Sequence, residues 1–507
     1  MTMPSRFWRL PLLAVVVAVG ALLVGCGSSS DSSSSDDVSF KGDGFSNVDL
    51  ASTRAVESKI DGSNVAELEE TWSNPITGTG VYGSYASTPV IAGGVVYSQD
   101  LESNVQAIDL ESGEVLWTKK YESPSHGPNG LAVADGHVYG ATASEAFALD
   151  QETGKDVWQV DLEGAIDMAP GVNDGSVYIS TVPETPAAEY EAGEVGTLWV
   201  MDGKTGKKLW HWDTVPKSLW GKPKVNSGGG LWYPPSFDSK GFVYAGTGNP
   251  APLPGAPGEP WGSSRPGPNL YADSLVKLDP KTGKLLWYYQ ETPHNVYDWD
   301  FQNSPIITKA GGKEVAIGSG KSGFVVAVDV KTGKPVWRTA VGRHNGHDED
   351  NMLAMRGEYD KIKTGEVFPG ALGGVVALPA ADAKRIYVPI VNHSMTTING
   401  EETTEESTAT GEVAALDIAT GKIVWQTEMS QPAYGSLLVS NDVVFATSAD
   451  GVIHALDAAK GGEVWQAALP SGTNAGVMVS GDMLLAGAGL PLAEGQTAKL
   501  VAYKLGG

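Results

Sequence analysis

The chain has 507 residues, with 35 basic against 60 acidic side chains and a formal net charge of −25. That surplus of negative charge excludes a nucleic-acid partner, whose phosphates it would repel. With 41% apolar residues and 64 glycines the composition suits one β-rich body, and past the N-terminus no apolar run approaches the ~20 residues of a membrane-spanning helix.

Residues 1–26 read as a targeting segment to be set aside from the fold. Arg6 and Arg9 give it a positive start, Pro11 to Val24 is apolar, and Leu23-Val24-Gly25-Cys26 resembles the bacterial lipoprotein processing site. Cys26 is the only cysteine in the chain, so it is expected to carry a lipid and to hold the protein to the extracytoplasmic face of a membrane, in the cell envelope. A plain signal peptide or a short membrane anchor is the alternative. Ser28 to Asp37 is nearly all Ser and Asp, and residues 27–46 are expected to be a flexible tether. A single cysteine also leaves the body without an internal disulfide or a cysteine-held metal, haem or iron–sulfur site.

From residue 47 to 507 a repeat organises the chain. Its clearest copy is Asp279 to Trp287, D-P-K-T-G-K-L-L-W, and near copies begin at Asp109, Asp150, Asp202, Asp329, Asp417 and Asp457. Each follows a short apolar strand and ends in a tryptophan eight residues on, so each reads as strand, tight turn, strand. The aspartate can accept the turn's backbone N–H groups, and the glycine supplies the positive φ that such a turn needs. The recurring tryptophan is expected to wedge between neighbouring units. Two intervals, Trp210 to Trp287 and Trp337 to Trp425, exceed the ~40–45 residues of one such unit and read as single units carrying long loops.

Eight inner apolar strands, from Val95-Val96-Tyr97 to Met483-Leu484-Leu485, accompany the repeats. The last unit has Leu500 to Tyr503 but no tryptophan after it, and Trp72 has no such strand before it. Joining the two ends predicts an all-β, closed eight-bladed propeller whose last blade is built from both termini, which leaves only short, protected sheet edges.

The densest block is Gly228 to Phe301. It holds G-G-G-L-W-Y-P-P-S-F-D, then Y-A-G-T-G-N-P, then R-P-G-P-N, then Y-Y-Q-E-T-P-H-N-V-Y-D-W-D. Together with the N-terminal stretch from Asn47 through Thr53-Arg54 to Trp72, this order resembles the pyrroloquinoline quinone (PQQ) dependent, or quinoprotein, alcohol dehydrogenases. The resemblance runs along nearly all of the body. It implies that Trp232 is the floor on which the quinone stacks, that Asn249 is a Ca2+ ligand, and that Asp298 is the catalytic base. It further places Glu191 as the second calcium ligand and Lys321 against the quinone carbonyls. Glu184, Glu189 and Glu194 lie close to Glu191, and one gap would change that choice.

These residue types make chemical sense together. Hard cations take oxygen ligands, a π-face suits a planar cofactor, and a carboxylate beside it can take an alcohol's proton as hydride leaves. Each also has an ordinary reading: Trp232 as an interblade aromatic, Asn249 as a turn former, Asp298 and Asp300 as caps on backbone N–H groups, Lys321 as a solvated charge. The family's two adjacent cysteines and the arginine after them are absent from Ser125-His126-Gly127-Pro128-Asn129-Gly130, which implies weaker PQQ binding or a different ligand. His126 reads as a loop residue. Arg343 to Asp350, where His344, His347 and two nearby aspartates could hold a metal, reads rather as an exposed acidic loop, and Thr396 to Thr410 as a mobile insertion.

The implied function is oxidation of a small alcohol by hydride transfer to PQQ with calcium assistance. No Cys-x-x-Cys-His occurs, so the electrons would leave to a separate acceptor, a cytochrome or a membrane quinone. The alternative is a non-catalytic scaffold that binds envelope proteins or peptides, comparable in architecture to the lipoprotein propellers that assist outer-membrane protein assembly.

Overall fold

In every repeat the aspartate folds its own turn. Oδ1 of Asp109, Asp150, Asp202, Asp279, Asp329, Asp417 and Asp457 accepts the backbone N–H three residues on, at 2.8 to 3.0 Å. The repeat glycine then takes a φ between 66° and 75°, where a side chain would be strained. The strands that these turns join are each buried along the first and only half buried along the second, as in Ser274–Leu278 and Leu285–Gln290.

A computed structural model describes residues 44–184 and 190–506. The expected targeting segment, Cys26 and the tether up to residue 43 lie outside the described residues. Among the described residues the strands sort into eight sheets, antiparallel except where Ala55–Val56 joins Leu438–Ser440 and Val195–Asp202 joins Ser227–Gly229. One sheet is built from both ends of the body: Leu68–Pro75 pairs with Lys499–Leu505, setting Trp72 opposite Ala502. The inner strands of neighbouring sheets touch, and Met478–Ser480 of the last sheet meets Val90–Ala92 of the first, which closes the ring of a β-propeller. Among the described residues no helix is long and apolar enough to cross a membrane.

The tryptophans lock one sheet to the next. Trp72 Nε1 donates to Leu110 O at 2.9 Å, Trp158 to Gly203 O at 2.7 Å and Trp287 to Val330 O at 2.9 Å. Four more follow the same rule, each ring reaching the carbonyl just after the next repeat's aspartate. The next repeat's glycine lies under the ring, and a Cβ on Gly283 would come 2.4 Å from Trp210. The absence of that Cβ therefore serves the sheet interface as well as the turn.

The segment ahead of Trp72 crosses the inner strands instead of trailing from them. Gly44–Phe45 pairs with Ala132–Ala134, so pairing begins inside the stretch expected to be tether. Leu50, Ala51, Thr53 and Arg54 then give their carbonyls in turn to the N–H groups of Phe237, Ile307, Ala381 and Val439, which belong to four successive sheets. Arg54 is fully buried and donates to Leu437 O and Ser46 O. This strap stitches the ring together on one side of the channel.

Two expectations about loops are corrected. Thr396 to Thr410 is no mobile insertion: Arg385–Ile398 and Glu402–Asp417 form a long paired hairpin. Its turn is Asn399-Gly400, both at positive φ, the combination that hairpins favour. Nor is Arg343 to Asp350 a free acidic loop, because His347 is 9% exposed and bonds Asp350 at 2.7 Å beneath Tyr297.

Candidate active site

Asp298 and Asp300 sit on the connection between Leu285–Gln290 and Ile306–Ala310. Asn295 shapes it, its Oδ1 accepting the N–H groups of Tyr297 and Trp299 at 3.0 and 3.1 Å. Asp298 is held at a φ of 60°, a conformation that costs a non-glycine residue about 1 kcal/mol or more. Lys321 follows the strand Lys313–Ser319, and its N–H bonds Asp300 O at 2.9 Å. Gly320 permits that approach, since a Cβ there would lie 2.0 Å from Asp300 O.

The side chains meet at the Lys321 ammonium. Its Nζ lies 2.8 Å from Asp298 Oδ2 and 2.6 Å from Asp300 Oδ2. Asp300 Oδ1 accepts the Asn249 N–H at 2.6 Å, so Asn249 joins the same group through its backbone. The Asn249 side chain is buried and its Oδ1 accepts from Tyr190 OH at 2.9 Å. Trp232 is half buried beside them: a Cβ on Gly248 would come 3.2 Å from both Trp232 Nε1 and Asp300 Oδ1.

Burial pushes the Asp298 carboxyl up to about 7, Asp300 and Glu184 adding to the rise while Lys321 opposes it. Burial would lower the Lys321 ammonium, but Asp298 and Asp300 outweigh it and hold it above its usual value. Beneath, the Tyr233 hydroxyl is pushed up to about 12 by burial, and it feels both Arg54 and Lys321. The strap arginine and the site lysine thus share one neighbour.

Of the residues singled out in the sequence, Trp232, Asn249, Asp298 and Lys321 come together. Glu191 stands apart: it is exposed, its backbone N–H tied to Pro183 O at 3.1 Å. Among the described residues of that loop, the carboxylate that turns inward is Glu184, 8% exposed and 3.2 Å from His126 Nδ1. Asp300, expected only as a cap on backbone N–H groups, does accept the Asn249 N–H but also shares the Lys321 ammonium, a second role that the sequence expectation did not include. For Asp167, 3.6 Å from His126 Nδ1, no sequence signal exists.

Comparison with known proteins falls into two parts. A family model described as "Glucose/ethanol/alcohol dehydrogenase, beta-propeller domain" matches residues 166–343. A second PQQ-repeat model, described as "Outer membrane protein assembly factor BamB", matches residues 101–227 and 372–506, so the two together run from the first sheet to the last. The chain belongs to the PQQ-repeat, alcohol dehydrogenase-like β-propellers. This PQQ-repeat propeller is 32% identical over 379 residues to the quinohemoprotein alcohol dehydrogenase of Comamonas testosteroni, covering 64% of the chain and 51% of that enzyme. It is 27% identical over 454 residues to the quinoprotein alcohol dehydrogenase PedH of Pseudomonas putida, covering 75% of the chain and 73% of the relative. The chain spans about half the length of the Comamonas relative. The crystal structure of that quinohemoprotein enzyme superposes with a TM-score of 0.77 at 26% identity, over 91% of this chain and 80% of the other. A europium-containing methanol dehydrogenase shares the fold at a TM-score of 0.76 and 20% identity, over 91% of this chain and 97% of the other.

Proposed function

We propose that this propeller oxidises a small alcohol, with PQQ as hydride acceptor and a cation beside it, and that Asp298 is the base. The observation that carries the reading is the Lys321 ammonium bridging Asp298 and Asp300 next to Asn249 and an accessible indole.

The residues fit the groups involved. Asp298 Oδ1 is buried without a hydrogen-bond donor, and such an orphaned carboxylate oxygen suits a cation. With Asn249 Oδ1 and Asp300 it makes the all-oxygen set that hard cations take; calcium is the ion expected, and Glu191 would have to turn inward to join. Two carboxylates facing one ammonium leave the centre negatively charged, which a divalent ion would offset. Trp232 offers its face to a planar ring, and Lys321 its N–H donors to the ring's oxygens. When bound, the quinone and its cation would supply a polarised carbonyl that accepts hydride.

The chain's own contribution is proton transfer and positioning. Asp298 takes the hydroxyl proton of the alcohol at Oδ1 or Oδ2, and its raised pKa makes it a stronger base than an exposed aspartate. Lys321 holds Asp298 in place and blocks rotation of the carboxylate. The stretch Ser125 to Gly130 supplies no arginine for the cofactor's carboxylates, and each lost charge-assisted bond is worth about 1.5–3 kcal/mol, so PQQ should bind more weakly than in relatives that keep one. Electrons would pass to a separate acceptor.

The test is dye reduction by purified protein given PQQ, calcium and a panel of primary and secondary alcohols. Calcium-dependent turnover lost in Asp298→Asn supports the reading; silence across the panel, with no PQQ binding by calorimetry, removes it. A second reading has its own support, since 101–227 and 372–506 match the model described for an outer-membrane assembly factor. A scaffold would capture envelope proteins equally well after Asp298→Ala and Asn249→Ala. For either reading we propose lipid attachment at Cys26, motivated by its place after the apolar run; palmitate labelling that persists in Cys26→Ser would refute it.

A further inference from the structure

Three residues that the proposed chemistry does not use converge near the same end of the propeller. His126 precedes the strand Ala132–Ala134, Asp167 precedes Gly171–Asn173, and Glu184 follows Ser176–Thr181. Their side chains are only 3%, 3% and 8% exposed. His126 Nδ1 stands 3.2 Å from Glu184 Oε2 and 3.6 Å from Asp167 Oδ2, and the three potential ligand atoms lie within 4.8 Å of one another. The His126 backbone N–H donates to Asp167 Oδ1 at 3.1 Å and fixes that carboxylate. Its other oxygen, Oδ2, is buried, has no hydrogen-bond partner, and is turned toward the imidazole and Glu184.

We propose that His126, Asp167 and Glu184 form a binding site for a divalent first-row transition ion of the zinc type. The spacing is right for it. Tetrahedral ligands at about 2.0–2.1 Å from zinc are about 3.4 Å from one another, and the two measured separations fall on either side of that value. The donors are right as well: an imidazole with two carboxylates selects zinc and its neighbours, whereas calcium and magnesium prefer oxygen alone. A neutral imidazole and two carboxylates leave two negative charges in a place shielded from water, which a divalent ion cancels and which is otherwise costly. Three protein ligands leave a fourth position for water or a small anion. This ion is separate from the one expected at Asn249, although Glu184 lies within electrostatic reach of Lys321 and Asp298.

The experiment is a titration of the purified, chelator-stripped protein with cobalt(II), followed by zinc, read by visible absorption and metal analysis. Saturable uptake should bring the ligand-field bands of a four- or five-coordinate ion, and zinc should bleach them. His126→Ala, Asp167→Asn and the near-isosteric Glu184→Gln should each weaken uptake at least roughly 10–100-fold, the loss that even an outer-shell partner brings, with circular dichroism confirming that each folds. Asn249→Ala should keep the bands. Absence of bands in the wild type, their survival in His126→Ala, or their loss in Asn249→Ala would each overturn the proposal. Turnover is not part of the readout, so the outcome is independent of whether the propeller oxidises alcohols.

Discussion

Asp298 departs from ordinary aspartate behaviour in two ways, a left-handed backbone and a carboxyl raised to about 7 by burial. In cation-free protein it should therefore titrate near neutrality, gaining its charge only as the pH passes about 7. Calcium placed beside it favours the charged form and should move that midpoint downward, as carbon-detected carboxyl NMR would show. A midpoint unmoved by calcium would place the cation elsewhere. Lys321→Met should cost about 3 kcal/mol in urea unfolding at neutral pH, because it leaves the fully buried Asp300 and the half-buried Asp298 without a counter-charge. Asp298, already raised by burial, would lose the cation that opposes the rise, so the folded state would hold its proton more tightly than the unfolded chain and the deficit should shrink as the pH falls below neutrality. Trp232, Asn249, Asp298 and Lys321 were readable because ordered blocks of sequence carry them. Glu184 was not, because which glutamate of a loop turns inward depends on contacts with His126 and Asp167, from distant parts of the chain.

The repeat element is where sequence and structure agree most fully, since turn, strand and tryptophan all act over short distances. Trp158 is 9% exposed and donates to Gly203 O. Trp158→Ala should cost about 3–5 kcal/mol, measured by the shift in denaturant midpoint. Gly283→Ala should destabilise more than its backbone strain of about 1–2 kcal/mol, because the new methyl meets the Trp210 ring; the double variant Gly283→Ala with Trp210→Ala should show that the two losses do not add. The hairpin at Asn399-Gly400 was read too loosely. Its Thr- and Glu-rich composition suggested mobility, while the two-residue turn and the β-branched threonines pointed to paired strands.

The ring as a whole depends on a pairing that no local signal encodes: Leu68–Pro75 against Lys499–Leu505. Counting strands and tryptophans foretold it, because one of each was left over. Leu500, Val501 and Ala502 are almost fully buried. Removing residues 499–507 should uncover apolar surface on two sheets, and a lowered, broadened thermal transition with dye binding below it would register the loss. The strap formed by Leu50 to Arg54 could not be foreseen, since its bonds run from carbonyls to four separate sheets and carry no pattern of residue type.

That terminal pairing also dictates when the protein can finish folding. Trp72 leaves the ribosome well before the strand it pairs beside, so Leu68–Pro75 must wait with an open edge until Lys499–Leu505 has been made. Such a long-range contact is slow to form and an unpaired edge invites stray association. A nascent chain stalled before residue 499 should remain protease-sensitive at Leu68–Pro75, and extension that frees Lys499–Leu505 should bring resistance in a single step.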